Sequence, residues 1–152
     1  MLMGMASFAV LAGLVLAAQD KYTVKVPDGL AFSEFQGYEQ WQTISVSRNE
    51  KAVAAILGNP VMISAYQAGI PANGKPVPDG AKMAKVHWTP KQNELFPDAT
   101  VPDKLQNVDF MLKDSKRFAD SGGWGYAVFE YDTASDTFKP GTSASVLSEK
   151  YV

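Results

Sequence analysis

The chain has 152 residues, of which 46% are hydrophobic and 20% are charged, and its net charge is −2. This length fits one globular domain, and the composition excludes an intrinsically disordered chain. The small net charge gives no basic surface for nucleic acid. The sequence contains no cysteine, which excludes disulfides, thiolate metal sites and a cysteine nucleophile among these residues.

The amino-terminal segment differs in composition from the rest of the chain. Residues 6–18, ASFAVLAGLVLAA, are almost wholly apolar, and small residues end the run. That length is typical of the apolar region of a signal peptide and is short for a membrane span. We therefore expect residues 1–18 to be a signal peptide, cleaved after Ala17 or Ala18, although the preceding MLMGM lacks a basic residue. An uncleaved anchor and a buried helix are the alternatives, and export to the periplasm is the expected localisation.

The first strands are predicted shortly after the start of the mature domain. Residues 42–47, QTISVS, alternate between polar and apolar side chains, which predicts a strand with Ile44 and Val46 facing inward. Residues 52–57, AVAAIL, form a short apolar run. This run predicts a second, more buried strand.

A helix is predicted directly after the second strand. Asn59 is a favourable N-cap, and Pro60 suits the first helical position. Gly69 supplies the stop signal. Met62 and Tyr66 are four residues apart and should share one helix face.

Three further strands are predicted over residues 81–88, 108–113 and 124–131. The segments between these elements are predicted to be loops at 70–80 and 89–102, a helical turn at 114–120 capped by Asp114, and a weakly patterned polar tail from Thr133. The connections are too short for regular crossover helices, which favours antiparallel pairing. The predicted fold class is α+β, mainly an antiparallel β-sheet with a few short packed helices.

The strand AKMAKVHW places a lysine and the chain's only histidine on one face. Because side chains alternate along a strand, Met83, Lys85 and His87 should point the same way, opposite to Ala84 and Val86. The lysine and histidine could line a pocket, the histidine as ligand or proton shuttle and the lysine as cation or nucleophile. The alternative is an ordinary solvent-facing side of the sheet.

Two later strands supply further candidates. Asp109 could relay protons near a pocket, or it could be a surface charge at a strand edge. Trp124 and Phe129 belong to an aromatic-rich strand that could wall a flat ligand, although core packing is the default explanation for such residues. No phosphate loop, HExxH or GxSxG motif occurs. One histidine without cysteine also predicts no multi-imidazole transition-metal site within one chain.

Longer segments resemble the cytochrome P460 family over about Lys21 to Gly141. The most specific segments are PDGAKMAKVHW and LKDSKRFADSGGWG, supported by KVPDGLAFSEFQGYEQWQTISVS. The resemblance implies an exported, mainly antiparallel β protein that is often a homodimer. It also implies one c-type haem, attached through a carboxyl-terminal CxxCH whose histidine ligates the iron.

The resemblance also implies roles for individual residues. Family enzymes oxidise hydroxylamine and cross-link a strand lysine to the haem macrocycle, and that lysine matches Lys85. Relatives without the cross-link bind small gases such as nitric oxide. The family's pocket carboxylate matches Asp109, one methylene shorter than the usual glutamate. Lys85 and Asp109 are thus the predicted catalytic residues, and Met83, Lys85, His87, Trp124 and Phe129 the predicted haem-binding residues.

The chain departs from the family pattern at its carboxyl end. A P460-like domain is expected over residues 19–142, but residues 143–152, SASVLSEKYV, stand where the family has CxxCH. Three interpretations follow: a tail truncated or frame-shifted relative to haem-binding relatives, a haemless paralogue that binds another small molecule, or haem bound weakly without a covalent tether. The sequence predicts a periplasmic P460-like haem protein whose hydroxylamine oxidation or nitric oxide binding is impaired or lost, with a haemless small-ligand-binding paralogue as the alternative.

Overall fold

The computed structural model describes residues 19–26 and 29–141. The predicted signal peptide and the predicted atypical tail at 143–152 lie outside these described residues. Within the described residues, no helix combines the length and the hydropathy needed to cross a bilayer.

A six-stranded antiparallel sheet dominates the molecule, and its strands follow one another in chain order. The strands are β1 (Gln42–Arg48), β2 (Val53–Gly58), β3 (Lys82–Gln92), β4 (Thr100–Lys113), β5 (Trp124–Asp132) and β6 (Thr137–Pro140). One α-helix, α1 (Pro60–Gln67), and short 3-10 turns complete the fold, the turns lying at Lys21–Thr23, Phe32–Phe35, Tyr38–Gln40 and Ala119–Ser121. The predicted α+β fold class is confirmed.

The hydrophobic core lies between one face of the sheet and the segment that precedes β1. Phe35 stacks on Phe110 of β4 with ring centroids 4.1 Å apart, and Phe32 lies 4.7 Å from the ring of Phe129 in β5. All four rings are fully buried. Aromatic contacts of this kind add to the area that they bury, so the amino-terminal segment serves as the cover of the sheet.

Asn59 fixes both the start of α1 and its position beside β3. Its side-chain oxygen accepts hydrogen bonds from the N–H groups of Met62 and Lys82, each at 3.0 Å. The predicted N-cap is therefore confirmed. Met62 is buried, whereas Tyr66 is 57% exposed. Ala65, and not the predicted Tyr66, shares the buried side of α1 with Met62.

The long β3–β4 hairpin corrects the loop predicted over residues 89–102. Strands occupy residues 89–92 and 100–102, which is half of this segment, and Pro90 lies across from Pro102. Register shifts interrupt the ladder between His87 and Pro90. Proline is tolerated in sheets at such irregular positions because the ladder does not need its missing N–H there.

The two outer strands also differ from the sequence expectations. Val46 was predicted to face inward but is 68% exposed. A register shift between Thr43 and Ser45 adds one residue to β1, and such a bulge breaks the simple alternation on which the prediction rested. At the other edge, β6 forms within the predicted polar tail, where Phe138 is buried beside Tyr131.

Candidate functional site

The face of the sheet opposite the core brings the predicted residues of β3 and β4 together. Lys85 lies directly across from Asp109, and Met83 lies across from Met111. Met111 in turn lies across from Tyr126 of β5. The residues between them in each strand point into the core, so Met83, Lys85, Asp109, Met111 and Tyr126 share the other face. The strand register alone therefore places these five side chains together.

These side chains line a cleft of about 290 Å³. The residues that line it, hereafter the Lys85 cleft, are Ile56, Met83, Lys85, Asp109, Phe110, Met111 and Tyr126. Aliphatic, thioether and aromatic groups form most of the wall, while Lys85 and Asp109 supply the charges. Ligand sites commonly combine an apolar wall with a few convergent polar groups.

Lys85 differs from the other sheltered lysines of the molecule. Lys21 binds Glu39, Lys82 donates to the carbonyl of Glu34, and Lys113 pairs with Asp79. Lys85 is also only partly exposed, yet within residues 19–26 and 29–141 its ammonium group makes no hydrogen bond or ion pair. A sheltered cation without a protein partner is suited to interaction with a ligand.

Asp109 has partners on both carboxylate oxygens. Asn107 donates a hydrogen bond from Nδ2 to Oδ1, and Oδ2 lies 3.1 Å from Nε2 of His87. The Asp109 and His87 side chains are 21% and 16% exposed. Asp109 therefore connects the cleft to the imidazole behind it, so Lys85, Asp109 and His87 form one polar cluster.

Asn107 also contacts this cluster, through Asp109, and the sequence analysis did not single it out. It precedes Asp109 by two residues in β4, so alternation places both on one face. That spacing was the available signal. An asparagine in a strand nevertheless gives no sign of function in the sequence, because its position across from His87 depends on the β3–β4 register.

The aromatic residues of β5 divide between the two faces. Tyr126 lines the Lys85 cleft, and burial raises the pKa of its phenol. The phenol is a hydrogen-bond donor at neutral pH, and the upward shift moves its ionisation further from that range. Trp124 lies two residues before Tyr126 in β5 and so is on the same face of the sheet, but it is not one of the residues that line the cleft. Phe129 is fully buried against Phe32, so the structure does not bring this predicted haem-binding residue to the cleft.

A family model described as Cytochrome P460 matches residues 35–147. This match covers most of the chain and includes all of the cleft. The chain belongs to the cytochrome P460 family. No curated protein matches the sequence.

Proteins of the cytochrome P460 family are haem proteins, and the Lys85 cleft fits part of such a site. Its apolar wall suits one face of a macrocycle, and Lys85 supplies a cation beside that face. The fit does not extend to attachment, because the 152 residues contain no cysteine for a thioether bond. Nε2 of the single histidine is engaged by Asp109, so His87 is not placed as an uncommitted iron ligand.

Proposed function

We propose that this P460-family protein binds haem against the Lys85 cleft and handles a small nitrogen compound there, hydroxylamine or nitric oxide. The observation that carries the proposal is the sheltered Lys85 ammonium, which has no partner among the described residues and lies across from Asp109. Bound haem would supply the redox chemistry, or the site at which the gas binds. The chain's own residues supply binding, orientation and proton transfer.

Lys85 and Asp109, neighbours on the cleft face of β3 and β4, would both contact the small molecule. Lys85 offers only N–H donors, and an ionised Asp109 offers only acceptors. Hydroxylamine both donates and accepts hydrogen bonds, so it suits the space between these two groups. The apolar wall of Met83 and Met111 limits competing water in this space, which strengthens both polar contacts.

Asp109 would exchange protons with the small molecule, and His87 would share that proton. The carboxylate faces the cleft, while its Oδ2 lies within hydrogen-bond distance of the imidazole. Imidazole is the side chain best suited to reversible proton transfer near neutral pH. Asn107 holds the remaining oxygen and so orients the carboxylate toward the histidine.

The first test of haem binding is a titration of the purified full chain with haemin, followed by its Soret absorbance. A sample expressed in a host that matures c-type cytochromes is measured in parallel. We expect a saturable Soret band, and we expect Lys85→Met to change its position or intensity. Lys116→Met, at an exposed lysine outside the cleft, is the matched control and should leave the band unchanged. A chain without a Soret band under either condition would contradict the haem proposal.

The second candidate function is haem-independent binding of a small polar molecule in the same cleft. It is favoured by the missing cysteines and by the engagement of His87 with Asp109. The volume of about 290 Å³ is close to the lower end for small-molecule sites, roughly 300 Å³. Chemical-shift changes at Lys85 and Asp109 on adding hydroxylamine without haemin would support this function, and their absence would argue against it.

We also propose export to the periplasm and assembly as a homodimer, both from the family resemblance and the apolar segment at residues 6–18. Cell fractionation with amino-terminal sequencing tests export, since a mature protein starting near residue 19 is expected. Light scattering during size-exclusion chromatography tests assembly. A purely cytoplasmic protein or a monomer at all concentrations would contradict the respective proposal.

A further inference from the structure

A second cavity, of about 630 Å³, lies apart from the Lys85 cleft. It opens between the segment that leads into β1, the end of β2 and α1. We call it the glutamine groove after the side chains that dominate its wall, which include Gln36, Gln40, Gln42 and Gln67, together with Trp41 and Ser64. Its volume falls within the range of small-molecule sites.

Among the described residues, those that line the glutamine groove include no charged side chain. Charged residues make up 20% of the chain, and the Lys85 cleft contains two of them. A charged ligand would find no counterion in the groove, and its loss of hydration would be uncompensated. The lining therefore favours a neutral ligand that forms hydrogen bonds.

The groove glutamines differ from the chain's other glutamines in how they use their amides. Gln19, Gln92 and Gln106 each bond a backbone group, namely Phe138, the carbonyl of Pro97 and the carbonyl of Lys51. In the described part of the chain, the four groove glutamines make no side-chain hydrogen bond, although four of the seven glutamines meet here. Each amide retains N–H donors and a carbonyl acceptor for another molecule.

Trp41 gives the groove a flat apolar surface beside these amides. Its side chain is half-buried and packs against the hydrophobic core, which restricts its motion. It follows Gln40 and precedes Gln42 in the chain, so the indole and two amides are held by one short segment. An indole face next to amide groups can contact the C–H face of a sugar ring while the amides bond its hydroxyls.

We propose that the glutamine groove binds a neutral polyhydroxylated molecule, that is, a saccharide. The uncharged lining, the uncommitted amides and the restrained indole all point to this ligand class. The proposal goes beyond the proposed function of the Lys85 cleft, because it requires neither haem nor the residues of that cleft. Such a site would allow the protein to bind a glycan through a surface separate from the Lys85 cleft.

The proposal is tested by saturation-transfer NMR on the full chain with maltose, cellobiose and N,N′-diacetylchitobiose, each up to about 10 mM. We expect saturable transfer from the protein to the ring C–H protons of at least one of these sugars. The same sugar should change the fluorescence of Trp41, measured as the signal lost in a Trp41→Phe variant. A Gln40→Ala/Gln67→Ala double variant should weaken binding about ten-fold, since it removes two uncommitted amides.

Gln92→Ala/Gln106→Ala is the matched control, because it removes two glutamine amides outside the groove. It should leave sugar binding unchanged. Circular dichroism verifies that both double variants fold, and the exposed positions of Gln40 and Gln67 predict that they do. The proposal is overturned if no sugar binds up to the highest concentration or if the groove variant binds as well as the control.

Discussion

The two faces of the central strands are built from alternate residues of the same sequence but serve different purposes. In β4 the core face carries Val108, Phe110 and Leu112, and the cleft face carries Asn107, Asp109 and Met111. Core-face side chains are buried and meet other apolar groups. Cleft-face side chains are partly exposed, and their polar atoms bond one another.

This difference separates stability from function. Folding depends on the contact between the amino-terminal segment and the core face, where Phe32 and Phe35 meet the sheet. The cleft face adds little packing, so polar and charged groups can occupy it without weakening the core. A change to one face should therefore leave the other largely intact, except at Phe110, which is buried in the core and also lines the cleft.

Phe110→Ala should have the largest effect of the changes considered. The ring is fully buried, stacks on Phe35 at 4.1 Å and meets Phe32 at 5.3 Å. Removing a buried phenylalanine side chain costs about 3–5 kcal/mol, through lost transfer free energy and the cavity left behind. The free energy of unfolding, measured by urea denaturation, should fall by this amount.

Met111→Ala is the control for that prediction, because Met111 is the next residue in β4 and faces the cleft. Its side chain is only partly buried, so its removal should reduce the free energy of unfolding by less than half as much as Phe110→Ala. Equal losses at the two positions would mean that the cleft face belongs to the folding core, and the comparison would fail.

The features that the sequence predicted depend on local signals. Asn59 and Pro60 start α1 through interactions within one turn, and the alternation in residues 124–131 specifies β5 almost to its bounds. The predicted common face of Met83 and Lys85 likewise needs only the strand period. Such signals do not depend on where distant segments lie.

The features that the sequence did not predict depend on distant segments. The sequence analysis grouped Trp124 and Phe129 as residues that could wall one ligand, but which of them the core cover buries depends on where Phe32 packs. The bond between Asp109 and His87 requires the β3–β4 register. Composition and spacing carry no information on either point.

Gly125→Ala should have the second largest effect on stability. A Cβ atom at this position would lie 2.3 Å from Cζ of Phe118 and within 2.8 Å of two further ring atoms. The ring must therefore move, and such overpacking typically costs about 1–3 kcal/mol. Without this contact, alanine in a strand would be expected to stabilise slightly relative to glycine, so the sign of the measured change is informative.

The double variant Gly125→Ala/Phe118→Leu tests the cause of that loss. A smaller side chain at position 118 should relieve the clash, so the double variant should be more stable than the sum of the two single changes predicts. Thermal and urea unfolding of all four proteins completes the cycle. Strictly additive losses would show that the ring of Phe118 does not limit position 125.

A smaller effect on stability is expected from removing the ion pair between Glu34 and Arg117. This pair connects the amino-terminal segment that covers the core with the turn after β4. Burial alone would raise the pKa of Glu34. Hydrogen bonds from Arg117 and from the Ala31 N–H, together with the nearby positive charges, outweigh burial and lower that pKa. The unfolded chain then binds more protons at acidic pH. The resulting stabilisation is present above the ordinary glutamate pKa, about 4.3, and disappears as the pH falls through the folded value.

Glu34→Gln should therefore reduce the dependence of stability on pH below that ordinary value. The measurement is the urea midpoint of both proteins across the acidic range. The pKa of Asp132 is also lowered, to about 2, by the Lys139 side chain and by hydrogen bonds within its turn. Both proteins thus retain other acid-sensitive groups, such as Asp132. The contribution of Glu34 is therefore the difference between the urea midpoints of the two proteins at each pH. Parallel curves for the two proteins would contradict this assignment.

The smallest change in stability is expected for Lys85→Met. Lys85 has no hydrogen bond or ion pair within the described residues, so its loss should alter the free energy of unfolding by no more than about 0.5 kcal/mol. Lys113→Met is the matched comparison, since Lys113 is 8% exposed and pairs with Asp79, and it should cost more. If Lys85→Met were equally costly, Lys85 would be a structural residue, and the main reason for assigning it a ligand would be lost. A stable Lys85→Met protein with altered haemin binding would instead place the contribution of Lys85 in the cleft rather than in the fold.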